Sequence, residues 1–236
     1  MMVDWGLPPA YQVDLLRTVS PYVDLAKIAV GIGALYSQEV LTEKLSAYRA
    51  QQVTPFVGGM FLEHAVLHGK THDYLRAIVE SGFDCIEVSD NLLDMTLDEK
   101  MELIQVSRKE YGLRILGEVG KKEGIAATND LAEDAARCLD AGAEIVFLEA
   151  ADFFAGEVND TELNRLINRC GMDPLIFELP GPWIQGITLT DIQQTMRWLV
   201  DQFGADANIA NVPHDLVLSL EALRTRIGVN AGKRPE

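Results

Sequence analysis

Short apolar runs of β-strand character alternate with longer stretches of helical periodicity along the whole chain. We count eight such runs, and each is followed by a helix candidate. This alternation is typical of repeated βα units that build a parallel sheet. The predicted strands are Met2–Trp5, Leu25–Val30, Thr54–Gly58, Cys85–Ser89, Arg114–Val119, Ile145–Glu149, Leu175–Leu179 and Asn208–Val212.

Eight βα units in 236 residues predict one α/β domain, a (β/α)8 TIM barrel of parallel strands that spans residues 1–236. No linker rich in Pro, Gly or Ser divides the chain. Only a few residues precede the turn Gly6–Pro9, so we expect a shortened first strand. Helix ends are also readable: Thr96 with Glu99, and Thr190 with Gln193, match the capping-box pattern, and Gly204 is placed to end the seventh helix.

The composition narrows the classes of partner. Hydrophobic residues make up 48% of the chain, enough for a large core, and the formal net charge is −16. That charge repels phosphate backbones and acidic lipid surfaces, so we expect a small-molecule substrate and neither nucleic acid nor membrane. The N-terminal sequence lacks the pattern of a signal peptide, and no apolar run has the length of a membrane span, which predicts a cytoplasmic protein.

Four predicted strands end in the same way, with one glutamate between apolar or small neighbours. These glutamates are spaced 31, 31 and 29 residues apart, about one βα unit each, and they are Glu87, Glu118, Glu149 and Glu178. The carboxyl ends of the strands form the active-site face of a barrel, so the four side chains are expected to converge. Further polar or aromatic candidates follow the strands at Lys27, Glu63, Asp90, Lys121, Lys122, Trp183, Asn208 and Asn211.

Carboxylates this close together need cations among them, because like charges raise each other's pKa. Lysines and a divalent metal would supply the positive charge. Oxygen ligands without histidine suit a hard ion, so we expect Glu87, Glu118, Glu149 and Glu178 to bind Mg²⁺. The alternative for any single glutamate is a structural salt bridge to a neighbouring lysine.

Motifs along nearly the whole chain resemble the phosphosulfolactate synthase family. They are GLPP at Gly6–Pro9, VDLAK at Val23–Lys27, GG at Gly58–Gly59 with Glu63, IEVSD at Ile86–Asp90, GEVGKK at Gly117–Lys122, DAGAEIVFLE at Asp140–Glu149, IFELP at Ile176–Pro180, NIAN at Asn208–Asn211 and SLEALR at Ser219–Arg224. The resemblance implies a magnesium-dependent barrel lyase that adds sulfite to phosphoenolpyruvate in coenzyme M biosynthesis. It also implies Lys122 as the general acid that protonates C2, with Lys121 and Lys27 as supporting cations.

The chain departs from the family pattern at several loops that follow strands. Apolar residues replace polar ones at Ile32, Met60 and Leu92, and Phe153 lies where relatives carry an arginine-containing loop. Arginine is the best bidentate partner of small anions, so these changes remove anion contacts. They leave three hypotheses: phosphosulfolactate synthase activity, the same Mg²⁺-assisted enolate chemistry on a larger and less charged substrate, or a non-catalytic barrel related to heat-stress-associated proteins. The apolar residues could instead pack loops or form the interface of a homo-oligomer.

Overall fold

A computed structural model describes residues 1–120, 130–149, 160–181 and 183–227. Its strands are β1 (Met2–Asp4), β2 (Leu25–Ile28), β3 (Thr54–Val57), β4 (Cys85–Val88), β5 (Arg114–Val119), β6 (Ile145–Glu149), β7 (Leu175–Glu178), β8 (Ile209–Ala210) and β9 (Val212–Pro213). Its helices are α1 (Pro9–Val19), α2 (Gln38–Ala50), α3 (Gly59–Leu67), α4 (Thr71–Glu80), α5 (Leu97–Tyr111), α6 (Leu131–Ala141), α7 (Asp160–Cys170), α8 (Leu189–Phe203) and α9 (Val217–Arg224).

The strands form one parallel sheet in the order β8-β7-β6-β5-β4-β3-β2-β1-β9. The two strands that follow α8 in the chain lie at the two ends of this order. β8 pairs with β7, and β9 pairs with β1. Between them, Asn211 has a left-handed φ of 56°, which turns the chain from one neighbour to the other. The eighth predicted strand is therefore interrupted and closes the ring, so the structure confirms the (β/α)8 barrel.

The alternation of side chains along the strands separates two apolar layers. One group points into the barrel and packs as a closed cluster of Phe56, Cys85, Leu116, Phe147, Ile176 and Ala210. The alternate residues, such as Ile86 and Leu148, belong to the larger core between the strands and the helices. Burial on both faces explains why the strands read as nearly continuous apolar runs. The first strand has only three residues, which confirms the predicted shortening of this strand.

The helix ends follow the cap patterns with one correction. Thr96 and Glu99 form the predicted capping box of α5. The cap of α8 is formed by Thr188 and Asp191, two residues before the predicted pair Thr190 and Gln193. The Asp191 carboxylate accepts charge-assisted hydrogen bonds from the Thr188 amide and hydroxyl, which a neutral glutamine cannot match. Gly204 ends α8 as predicted. No helix in the described part of the chain has the length and apolar run needed to cross a bilayer.

Candidate active site

The four glutamates lie in one layer above the apolar interior of the barrel. Each follows an inward-pointing apolar residue by two positions, so it points inward as well. The pairs are Cys85 with Glu87, Leu116 with Glu118, Phe147 with Glu149 and Ile176 with Glu178. All four carboxyl side chains are buried at the C-terminal ends of their strands. The structure therefore brings together the acids that the repeat in the sequence predicted.

Lys27 joins this layer from β2. Its Nζ lies 2.7 Å from Glu87 Oε2 and 2.9 Å from Glu178 Oε1, and it is 5.3 Å from the centre of the Phe147 ring below. Lys27 is itself buried, so both ion pairs are screened from water. Removing either partner of such a pair would leave an uncompensated buried charge, which is strongly destabilising.

Three of the acids come close enough to share one ion. One carboxylate oxygen each from Glu118, Glu149 and Glu178 lies within 4.8 Å of the other two. Glu149 and Glu178 are direct partners in the β6–β7 register, which sets their side chains next to each other. Three carboxylate oxygens fit a hard cation such as Mg²⁺, which binds proteins through few carboxylates and keeps several waters.

Glu87, the fourth predicted metal ligand, is not a member of this group of three. Its Oε1 accepts a hydrogen bond of 2.8 Å from the Gly59 amide at the start of α3, and its Oε2 faces Lys27. Burial raises the pKa of Glu87 well above its ordinary value, and Lys27 opposes that shift. The nearby carboxylates of Glu118 and Glu178, and a hydrogen bond to Glu118, raise this pKa further. The protonation of Glu87 therefore depends on the charges of its neighbours in the layer.

Gly59 and Glu63 fix the loop that follows β4. A Cβ on Gly59 would lie 2.3 Å from the Ser89 hydroxyl, so only glycine fits there. Glu63 Oε1 accepts hydrogen bonds from the Ser89 hydroxyl at 2.5 Å and the Asn91 amide at 3.1 Å. Its Oε2 accepts from the Leu92 amide at 2.7 Å and the next amide at 3.2 Å. The sequence predicts that Glu63 binds substrate, but both of its carboxylate oxygens accept hydrogen bonds from the loop after β4.

Asp90 also points away from the barrel mouth. It accepts a 2.9 Å hydrogen bond from Lys100 of α5, whose Nζ also contacts Asp134 of α6 at 3.0 Å and the Glu118 carbonyl at 2.7 Å. All of these side chains are buried. The network ties α5 and α6 to the end of β5, so Asp90 and Lys100 support the position of Glu118 from outside the barrel.

A cavity of about 260 Å³ opens beside the carboxylate layer. Its polar wall contains Lys27, Glu87, Asn91, Glu118 and Asn211, and its apolar wall contains Val3, Trp5, Ala29, Val30, Met60 and Trp183. Both side-chain polar atoms of Asn91, and Oδ1 of Asn211, are buried and make no hydrogen bond within the described residues. Buried amides without partners are costly, so they are suited to meet a bound molecule.

The remaining predicted site residues lie in different parts of the chain and not all at the cavity. Asn211 and Trp183 line the cavity, as expected. Asn208 lies at the start of the eighth strand, where its Nδ2 donates to the carbonyls of Asp173 and Leu175, both at 3.3 Å. That is the N-terminal end of the barrel, opposite the carboxylate layer. Lys121, Lys122 and Phe153 lie outside the described residues.

Sequence reasoning missed Trp5 and Asn91. Trp5 directly follows β1 and Asn91 comes shortly after β4, so both occupy the positions where barrel enzymes carry functional residues. An inventory of every residue within three positions of a strand end would have included them. Neither residue type is acidic or basic, so neither belongs to a charged cluster in the sequence.

A ring of buried ionisable side chains at the C-terminal ends of parallel barrel strands defines an enzyme of the (β/α)8 class. The model of the (2R)-phospho-3-sulfolactate synthase (ComA) family matches residues 1–229, and the chain belongs to this family. This membership confirms the resemblance read from the motifs and the expected carbon–sulfur lyase type of enzyme.

The relatives of this chain include two phosphosulfolactate synthases and one protein of a different name. The phosphosulfolactate synthase of Methanocaldococcus jannaschii is 30% identical over 236 residues, covering 95% of this chain and 89% of the relative. That of Bacillus subtilis is 28% identical and covers 95% of this chain and 88% of the relative. Protein HEAT-STRESS-ASSOCIATED 32 of Arabidopsis thaliana is 20% identical, covering 90% of this chain and 79% of the relative.

Solved structures share the fold at low sequence identity. A truncated 3-deoxy-D-arabino-heptulosonate 7-phosphate synthase from Thermotoga maritima superposes with a TM-score of 0.59 at 11% identity. The match covers 96% of this chain and 84% of that one. At this identity the likeness supports the barrel fold alone.

Proposed function

We propose that this chain catalyses the Mg²⁺-dependent addition of sulfite to phosphoenolpyruvate, which forms phosphosulfolactate. Family membership supports the reaction class. The observation that carries the proposal is the convergence of Glu118, Glu149 and Glu178 within 4.8 Å, with the ammonium group of Lys27 in contact with Glu178. This arrangement joins a cation-binding group of oxygens and a fixed positive charge at one cavity.

Glu118, Glu149 and Glu178 would hold the Mg²⁺ ion. All are buried, offer oxygen ligands only, and lie on neighbouring strands whose ends the barrel holds rigidly. When bound, the ion supplies positive charge opposite the negative charge that develops on the carboxylate side of the substrate. Glu87 would stand beside the ion without binding it, since its oxygens already contact Gly59 and Lys27.

The addition of sulfite to phosphoenolpyruvate forms one carbon–sulfur bond and requires one proton to complete the product. The sulfur lone pair of sulfite attacks C3 of phosphoenolpyruvate and forms the carbon–sulfur bond. The π electrons of C2–C3 move towards C2 and the carboxylate, giving an enolate-like species, and a proton delivered to C2 completes the product. The family resemblance assigns this proton to Lys122, with Lys121 and Lys27 as supporting cations. A lysine among carboxylates keeps its charged form favoured, so it arrives with the proton to deliver.

Phosphorus NMR tests this proposal directly. The purified protein is incubated with phosphoenolpyruvate, sulfite and Mg²⁺, and the appearance of the phosphosulfolactate resonance is followed over time. Parallel samples without sulfite, or with excess chelator, should show no such resonance. If the complete mixture forms no product at high protein concentration, the proposed activity is wrong.

The apolar wall of the cavity favours a second candidate, the same chemistry on a larger and less charged acid. Trp5, Met60 and Trp183 all lie on that wall. The homo-oligomer and the cytoplasmic location expected from the sequence remain predictions for either candidate function.

A further inference from the structure

The lining of the cavity beside the carboxylate layer combines two chemically different kinds of residue. Besides the charged and amide side chains, it includes six described residues that are apolar or aromatic. A substrate such as phosphoenolpyruvate carries charge at both its carboxylate and its phosphate. The apolar wall therefore offers a contact that the charged groups of such a substrate cannot use.

Two tryptophans that lie far apart in the sequence belong to the apolar wall. The rings of Trp5 and Trp183 are 5.0 Å apart between centres and tilted by 45°. Both line the cavity, and they remain 46% and 40% exposed, so neither ring is fully covered by other residues. Aromatic rings gain from burying large apolar area, and exposed pairs at a pocket mouth are suited to contact a ligand.

The backbone beneath Trp183 is shaped to receive its ring. A Cβ on Gly181 would lie 2.0 Å from atoms of the Trp183 indole, so the ring rests directly on a glycine. Any larger residue at position 181 would force the ring away. Gly181 does not have a left-handed φ, so alanine there is compatible with the backbone and acts only through this contact.

Trp5 is held by the carboxylate that precedes it. Asp4 is fully buried, and its Oδ1 accepts hydrogen bonds of 2.8 Å from the amides of Gly6 and Leu7. Its Oδ2 accepts from the Tyr48 hydroxyl at 2.7 Å and pairs with Lys44 Nζ at 2.8 Å. The backbone on both sides of Trp5 is thus fixed to the barrel, which makes this part of the wall rigid.

We propose that this site accepts, besides phosphoenolpyruvate, an enol-phosphate acid that carries a small apolar substituent, which packs against Trp5 and Trp183. Trp183 is then a specificity-determining residue for the size of that substituent. The inference rests on the proposed function, because it concerns the substrate of the same site. Burying one additional methyl group against such a wall should tighten binding about fourfold or more.

Calorimetric titration with two acids in the presence of Mg²⁺ tests this inference. The probes are phosphoenolpyruvate and its C3-methyl analogue, 2-(phosphonooxy)but-2-enoate. The unaltered protein should bind the analogue at least about fourfold more tightly. Gly181→Ala and Trp183→Ala should bring the ratio of the two dissociation constants close to one. Trp198→Phe, on α8 where the Trp198 ring lies edge-on to Phe203, is the matched control and should keep the original ratio.

The outcomes separate this inference from the proposed function. Equal or weaker binding of the analogue by the unaltered protein, or an unchanged ratio in both Gly181→Ala and Trp183→Ala, overturns the inference. If phosphorus NMR meanwhile shows product from phosphoenolpyruvate and sulfite, only the inference has failed. If neither acid binds and neither is converted, the proposed function itself has failed.

Discussion

Lys27 on β2 and Glu178 on β7 form a buried ion pair of 2.9 Å across the mouth of the barrel, although 151 positions separate them along the chain. The same ammonium group contacts Glu87 on β4 at 2.7 Å. One lysine thus links three strands and sets the positive side of the carboxylate layer. Its removal should affect stability and chemistry together.

Lys27→Met should destabilise the protein, because it leaves Glu87 and Glu178 buried without this partner. Loss of one member of a buried ion pair costs about 3–5 kcal/mol, so the midpoint of urea unfolding should fall markedly. Lys109→Met is the matched control, since Lys109 is exposed and contacts only Gln105 within the described residues. Similar midpoints for the two variants would show that the Lys27 pairs contribute little.

Mg²⁺ should stabilise the folded protein, because the group of three glutamates exists only in the folded state. A ligand at 100 times its dissociation constant adds about 2.7 kcal/mol, which raises the melting temperature measurably. Glu149→Gln should reduce this rise by weakening the site. Glu144→Gln, at the opposite end of the same strand and paired with Arg114, should leave it unchanged. A rise that is equal in both variants would place the ion elsewhere.

Lys122→Ala should abolish turnover and leave the circular dichroism spectrum unchanged, because the residue is assigned to deliver the proton to C2. The loss should appear in kcat, with little change in the affinity for phosphoenolpyruvate. Full activity in this variant would refute the general-acid assignment. Lys109→Ala, an exposed lysine on α5, serves as the comparison and should remain active.

Glu87 should make the metal-free protein less stable as the pH rises. Because its pKa is raised in the folded protein, the folded state holds a proton that the unfolded chain has lost. The resulting stabilisation is complete below the ordinary glutamate pKa of about 4.3, and it disappears as the pH rises through the higher folded value.

The variant Glu87→Gln tests the predicted direction of this change of stability with pH. Glutamine stays neutral at every pH, so the free energy of unfolding of the variant relative to the unaltered protein should increase steadily with pH. Urea unfolding in chelator at several pH values from about 5 to about 9 gives this difference. A difference that is flat across the range would mean that Glu87 titrates normally.

The barrel and its acidic layer could be predicted because they depend on local periodicity. Alternation along each strand fixes which residues point inward, and a repeat of about thirty residues brings corresponding strand ends to one face. That is why Glu87, Glu118, Glu149 and Glu178 were found from spacing alone. The same logic placed Lys27 at the same face.

Tertiary structure decided which of these groups touch. Spacing could not show that Glu87 turns to Gly59 and Lys27 while the other three acids converge, because distances around the ring depend on the tilt and stagger of the strands. Glu63 could not be recognised as a loop anchor, since its four hydrogen bonds come from backbone and side chain of another βα unit.

The sequence by itself therefore determined the fold, the family and the face of the barrel on which the four glutamates lie. The folded chain alone decided the pairing of Trp5 with Trp183 and the placing of Asn208 at the far end of its strand from Asn211. The physical reason is that periodicity specifies the direction of a side chain relative to its own strand. Contact between side chains from distant units depends on how all eight units close together.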